Sequence, residues 1–212
     1  MPSKEKQQSD PLRINILQAV GDIIKTEGYT GLFIRNIARK ANTSGKMIYY
    51  HFGNLDNLIE TYIKEKDYWR VFTQDMESEK MMDIVQDPKA LIKKILRHHF
   101  EEFDKHEEMQ KVIVWEISQY SDILRKEADL REAFGEIVFK GIDPIFANSD
   151  IDFRTVAAII TAGIYYLVLH GKVNGSLFCG RDFNLQEDKE LLFKTINQMV
   201  DISFELAKTK KS

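Results

Sequence analysis

Residues 34–52 read Ile34-Arg35-Asn36-Ile37-Ala38-Arg39-Lys40-Ala41-Asn42-Thr43-Ser44-Gly45-Lys46-Met47-Ile48-Tyr49-Tyr50-His51-Phe52. They divide into two short helical patterns joined by a tight turn. The first runs from Phe33 or Ile34 to Ala41. Asn42 accepts the positive φ that the turn requires. Ser44 caps the next pattern, which reaches about Phe52. Ile48 and Phe52 are four residues apart, so they share a face and are predicted to pack on Ile34, Ile37 and Leu17. Lys46, Met47, Tyr49, Tyr50 and His51 then point elsewhere. Arg35, Arg39 and Lys40 also fall on faces the core does not need. This is a helix-turn-helix with a cationic, aromatic-bearing second helix, a shape that fits a DNA major groove.

The chemistry of that face follows from its residue types. Gly45 at the helix start lets backbone amides approach a phosphate, where the helix dipole favours an anion. Lys46 reaches a phosphate or the acceptor edge of guanine. Tyr49 and Tyr50 donate to phosphates or press on thymine methyl groups. His51 is read as a phosphate contact, as are Arg35 and Arg39. The competing reading makes Tyr49 or Tyr50 a cover for the first helix and the arginines ordinary solvated charges. The predicted double-stranded-DNA-facing set is Arg35, Thr43, Ser44, Gly45, Lys46, Met47, Tyr49, Tyr50 and His51.

Charge supports a reading head. Residues 1–53 hold eight basic and four acidic groups, whereas residues 54–212 hold 22 basic and 29 acidic ones. A formal net charge of -3 therefore hides a basic head on an acidic body. With 212 residues and 43% apolar content, the chain can bury a sizeable core. Cys179 is the only cysteine, so no intrachain disulfide forms, which fits a reducing compartment. Met1 to Asp10 is polar and is not read as a secretory signal. The longest apolar run, Val156 to Leu169, is shorter than the ~20 residues that span a bilayer. It is read as a buried helix, inside the fold or between subunits, and no membrane role is expected.

Outward from the motif, the remaining signals are helical. Pro2 to Gln8 reads as a mobile tail. Asp10 and Pro11 open a first helix that carries Ile14, Leu17, Val20, Gly21 and Ile24 to Glu27, where Gly28 ends it. Asn54 caps a fourth helix with Leu55, Leu58, Ile59, Tyr62, Ile63, Trp69 and Phe72 inward. Asp87-Pro88 starts a fifth, Glu107 to Gln119 is a sixth, and Asp122 to Ile142 a seventh, limited by Pro144. The eighth runs from Asp152 to about Lys172. Val173 to Asn184 is a loop. The ninth spans roughly Leu185 to Lys208, with Leu192, Ile196, Met199, Val200, Ser203 and Ala207 as its stripe. The fold class is all-α with about nine helices: a three-helix DNA-binding domain over 10–53 and a helical ligand-binding and dimerisation domain over 54–212.

The stretch Arg13 to Leu58 resembles the N-terminal domain of the TetR (tetracycline-repressor-like, TetR/AcrR) regulators. The matching pieces are Ile16-Leu17-Gln18-Ala19, Gly28-Tyr29, Ile37-Ala38, Ala41, Ser44, Ile48-Tyr49, His51-Phe52 and Leu58. The resemblance implies a cytoplasmic, homodimeric transcriptional regulator, usually a repressor, whose third helix enters the major groove. It also implies a C-terminal domain that binds a small-molecule effector and forms the dimer. Departures are informative. The threonine that often caps the second helix is Leu32, so Thr30 or Gly31 is expected to cap instead. The glycine-valine of the turn is Asn42-Thr43. The third helix opens Gly45-Lys46-Met47 rather than Lys-Gly-Thr. The lysine often found at the start of the fourth helix is Leu55, so the salt dependence of DNA binding should be shallower by about one unit.

In the body, Ala158, Ala162 and Gly163 alternate with Ile159, Ile160, Leu167 and Leu169. Small residues let helices approach closely. By analogy with the family, residues 153–172 and 185–208 are expected to pair with a second copy as a four-helix interface. An effector pocket is expected among Tyr62, Trp69, Phe100, Phe103, Trp115, Tyr120, Tyr165 and Tyr166. His98 and His99, with Glu102 and His106, invite a metal reading, since His98, Glu102 and His106 are spaced by four, which permits a site on one helix. A solvated face is the preferred reading, and no metal or cofactor is expected. His170, Ser176 and Cys179 form no nucleophile-base pattern, and nothing supports an enzyme. The alternatives are an activator or co-repressor-dependent regulator of the same fold, or a protein-interaction module that has lost DNA binding.

Overall fold

A computed structural model describes residues 10–67, Trp69 and 87–209. The proposed tail Pro2 to Gln8 and Phe72 of the fourth-helix stripe lie outside these residues. Among the described residues there are nine α-helices: α1 (Pro11–Glu27), α2 (Ile34–Lys40), α3 (Gly45–Phe52), α4 (Leu55–Lys66), α5 (Pro88–Lys105), α6 (Glu107–Ser118), α7 (Asp122–Phe146), α8 (Phe153–Leu169) and α9 (Gln186–Ala207). A short 3₁₀ turn, Tyr29–Gly31, precedes α2, and a π turn, His170–Asn174, extends α8.

Local chemistry sets most helix starts. Asp10 accepts from the Leu12 amide, Ser44 from Met47, Asn54 from Asn57, and Asp152 from Thr155. Each side chain satisfies an amide that the first turn leaves without a helical partner. Asn42 has φ 51, as the turn between α2 and α3 demands. The start of α2 differs from expectation. Thr30 turns back to the Glu27 carbonyl, and Phe33 occupies the cap position without a side-chain bond. Asn36, from inside the helix, donates to the Gly31 carbonyl and to Glu27, and its oxygen accepts from Arg39. A buried amide thus holds the entry that the sequence assigned to a hydroxyl or glycine cap.

The described residues form two compact units. One gathers α1 to α4, α6 and the first turns of α7. Its centre is α1, which packs against α2, α4 and α6. That explains why Ile16, Ala19 and Ile23 are buried as well as Leu17, Val20 and Ile24, while Ile14 faces solvent. The predicted single stripe was too narrow, because a central helix is covered on several sides. Two contacts tie α6 into this unit. Lys25 pairs with Glu108 at 3.0 Å, and Tyr29 stacks on Trp115 with centroids 5.2 Å apart.

The second unit holds α5, the rest of α7, α8 and α9. Its core includes Phe100, Phe103, Ile160, Ile164, Val168, Phe193, Ile196, Val200 and Phe204. Phe146, Phe153 and Phe204 form a three-ring cluster with centroids 4.8 to 5.3 Å apart. Asp104 binds Lys172 at 3.0 Å and Lys189 at 2.6 Å, joining the end of α5 to the π turn and to α9. The seventh helix passes its expected limit: Pro144 lies within α7, which ends at Phe146. A proline so near the end forfeits only one late backbone bond. The apolar eighth segment keeps close to its expected bounds, continuing from Phe153 through the π turn to Asn174. At 22 residues it is long and apolar enough to cross a membrane by length and composition, and only 28% of its apolar window is buried within the chain.

Candidate nucleic-acid interface

The recognition face is built by burying its opposite side. Ile48 and Phe52 are in the core, whereas Tyr49 is 52% and Tyr50 69% exposed. Arg35, Ser44 and Lys46 are exposed, and Thr43, Gly45 and Met47 are half-buried. Gly45 has a packing role besides its predicted one: a Cβ there would stand 3.0 Å from Ile34 Cγ2, so a glycine lets α3 sit close on α2. Arg39 is exposed but donates to Asn36 at 2.6 Å, which orients its guanidinium along α2.

His51 departs from the rest of the set. Its side chain is only 5% exposed and lies 3.8 Å from Asp10 Oδ2. It lines a cleft of about 350 Å³ with Arg13, Phe52, Asn57, Glu60, Thr61 and Lys64. Arg13 sits over the Phe52 ring and bonds Glu65 at 2.6 Å, while Lys64 pairs with Glu60. Helical spacing could not show this cleft, because Asp10 and Arg13 lie some forty residues before His51 in the chain.

The aromatic residues proposed for an effector pocket are distributed between the two units. Tyr62 is buried against Gly21, Trp115 is stacked on Tyr29, and Tyr120 is 74% exposed and bonded to Asp122. Trp69 is half-buried in that same first unit. In the second unit Phe103 and Tyr165 meet edge to face at 4.8 Å, and Tyr165 meets His99 at 4.6 Å. Phe100 packs on Phe193. Tyr166 is largely exposed and stacks on His170. His99, one of the residues weighed for a metal site, is buried. Burial pushes its imidazole down to about 3, with the Arg131 charge adding to the effect, so the ring is neutral at pH 7.

Residues 16–62 match the family model of bacterial regulatory proteins, tetR family. These residues run from α1 through the recognition helix into α4. Through this N-terminal region the chain is similar to the TetR regulators. Among curated proteins, it is 29% identical over 132 residues to the HTH-type transcriptional repressor NicS of Pseudomonas putida. That match spans 62% of this chain and 60% of the repressor's own length. Among solved structures, a TetR transcription regulator from Haloarcula marismortui superposes with a TM-score of 0.62 at 16% identity, covering 90% of this chain and 97% of that one. The regulator FadR from Bacillus subtilis, solved with stearoyl-CoA, gives 0.59 at 20% identity, with 90% and 97% covered. Both share the fold of this chain.

Proposed function

We propose that this chain is a TetR-like, ligand-responsive transcriptional repressor that binds a palindromic DNA operator as a homodimer. The observation that carries the reading is the division of α3: Ile48 and Phe52 are buried while Lys46, Tyr49 and Tyr50 face solvent. Large aromatic side chains left in water on one short cationic helix fit a surface held for a partner. Arg35, Thr43, Ser44, Gly45 and Met47 flank that face and complete the phosphate and base contacts. A cytoplasmic location follows from this role.

Dimerisation is supported by α8 and α9. Beside their buried stripes, Ile159, Tyr166 and Val173 on the eighth segment and Met199, Ile202 and Leu206 on α9 are exposed. Two such apolar stripes meet the requirement of a four-helix interface with a second copy. In the dimer, two α3 helices would lie about 34–36 Å apart on successive major-groove faces. A small molecule that favours another conformation of the body shifts that spacing and releases DNA in proportion to its differential affinity for the two states.

Selection of bound sequences from random duplex DNA tests the reading. A recovered palindrome, with binding lost in Tyr49→Ala, supports it. A folded dimer that recovers no sequence at low salt removes it in this form. With an operator in hand, small molecules, stearoyl-CoA among them, can be screened for release.

A further inference from the structure

The cleft beside the recognition helix contains a group that the DNA-reading face does not use. His51 is in the last turn of α3, and its side chain is almost entirely buried. Its Nε2 is buried and has no hydrogen-bond partner among the described residues. The nearest charge is Asp10 Oδ2 at 3.8 Å, just beyond hydrogen-bond reach. Asp10 is also the cap of α1. One carboxylate therefore stands between the start of the first helix and the end of the recognition helix.

Groups from three helices surround the imidazole. From α1 it faces the Asp10 carboxylate and the Arg13 guanidinium. From α4 the cleft wall brings Lys64 and Glu60, which pair with each other, while Glu65 neutralises Arg13. From α3 itself Tyr50 presents its ring at 5.1 Å, edge-on. The carboxyl end of α3 favours a cation through the helix dipole. Burial opposes the charged form. An approaching phosphate backbone adds negative potential at this end of α3.

We propose that His51 is a proton-linked positioning residue: DNA binding draws a proton onto its buried imidazole, which then closes an ion pair with Asp10 and fixes α3 against α1. This inference rests on the DNA-binding reading above. It assigns His51 an internal role in place of a direct phosphate contact. Tyr50, whose ring abuts the imidazole, would carry the change to the DNA-facing surface.

The experiment is fluorescence anisotropy with the selected operator duplex between pH 8 and 6, at fixed salt. The expected result is wild-type affinity that tightens by about fivefold as pH falls, the size of one helix-end charge effect. The dependence should flatten in His51→Gln and in Asp10→Asn, a change that keeps the cap and removes the charge. His170→Gln, in the second unit, should keep the wild-type slope. Equal slopes in wild type, His51→Gln and Asp10→Asn overturn the proposal. NMR titration of the His51 ring in the free protein separates this from failure of the DNA-binding reading. If no duplex binds, an Asp10-dependent titration of that ring still supports the link, and a titration indifferent to Asp10→Asn overturns it.

Discussion

The Tyr62 hydroxyl lies 2.6 Å from where a Cβ on Gly21 would stand. Glycine in the middle of α1 lowers helix propensity by about 1 kcal/mol relative to alanine. Its place is explained by the ring that α4 drives against it. The hydroxyl is buried and has no hydrogen-bond partner among the described residues, and burial pushes its pKa up. Gly21→Ala should therefore destabilise despite the better helix former, by about 1–3 kcal/mol of overpacking less the propensity gain. Tyr62→Phe should be close to neutral or stabilising, since it removes an unsatisfied group. Urea unfolding of both variants and the double mutant checks this. Simple additivity would show that the two residues do not meet as described.

The recognition face gives a second expectation. Lys46 is exposed and makes no ion pair recorded among the described residues, so its charge is available to DNA. Lys46→Ala should weaken binding across sequences and reduce the salt slope by about one. Tyr49→Ala should cost more on the selected operator than on random duplex. A pair of anisotropy titrations over a salt series distinguishes the two. Equal losses on every duplex for Tyr49→Ala would place that ring on the backbone rather than on bases.

How much of this was readable in sequence depends on range. The caps Asp10, Ser44 and Asn54 were legible because a cap is decided within three residues, and the start of the eighth helix was placed near Asp152. Asn42 was legible because its backbone need is local. The start of α2 was not, since Asn36 closes it from within a buried turn. The aromatic residues show the same limit of range. Tyr62 and Trp115 carry the same residue types as a pocket lining, yet one fills the space over Gly21 and the other stacks on Tyr29. Composition gives their size and polarity, but only tertiary packing says which partner they meet. The narrow predicted stripe of α9 omitted Phe193 and Phe204, both buried, and included Met199, which is exposed.

The Asp104 cluster predicts a pH dependence in the second unit. Burial alone would raise this carboxyl, but hydrogen bonds from Lys189 and Lys172 outweigh it and hold it below the usual carboxylate range. A depressed carboxyl adds stability that is present above its unfolded pKa and lost as pH falls through the folded one. Asp104→Asn should thus lower stability by roughly 1–3 kcal/mol at pH 7, because two lysines lose a largely buried partner. The gap between variant and wild type should close as pH is lowered from 5 towards 3. Urea midpoints at several pH values measure it, and a gap that stays constant would contradict the assignment.

The exposed apolar stripes supply the last expectation. Ile159 is 63% and Ile202 58% exposed on helices whose opposite faces are buried. Solvated isoleucines in the middle of two long helices are costly to keep unless a partner covers them. Sedimentation velocity should show a dimer for the wild type. Ile159→Glu or Ile202→Glu places a carboxylate in the proposed seam, and a charge buried there without a partner is strongly unfavourable. Each variant should sediment as a folded monomer, with helical content unchanged by circular dichroism. Operator affinity should fall with the dimer, because a single α3 reads only one half-site. A monomeric wild type, or variants that remain dimeric, would assign these stripes to another partner.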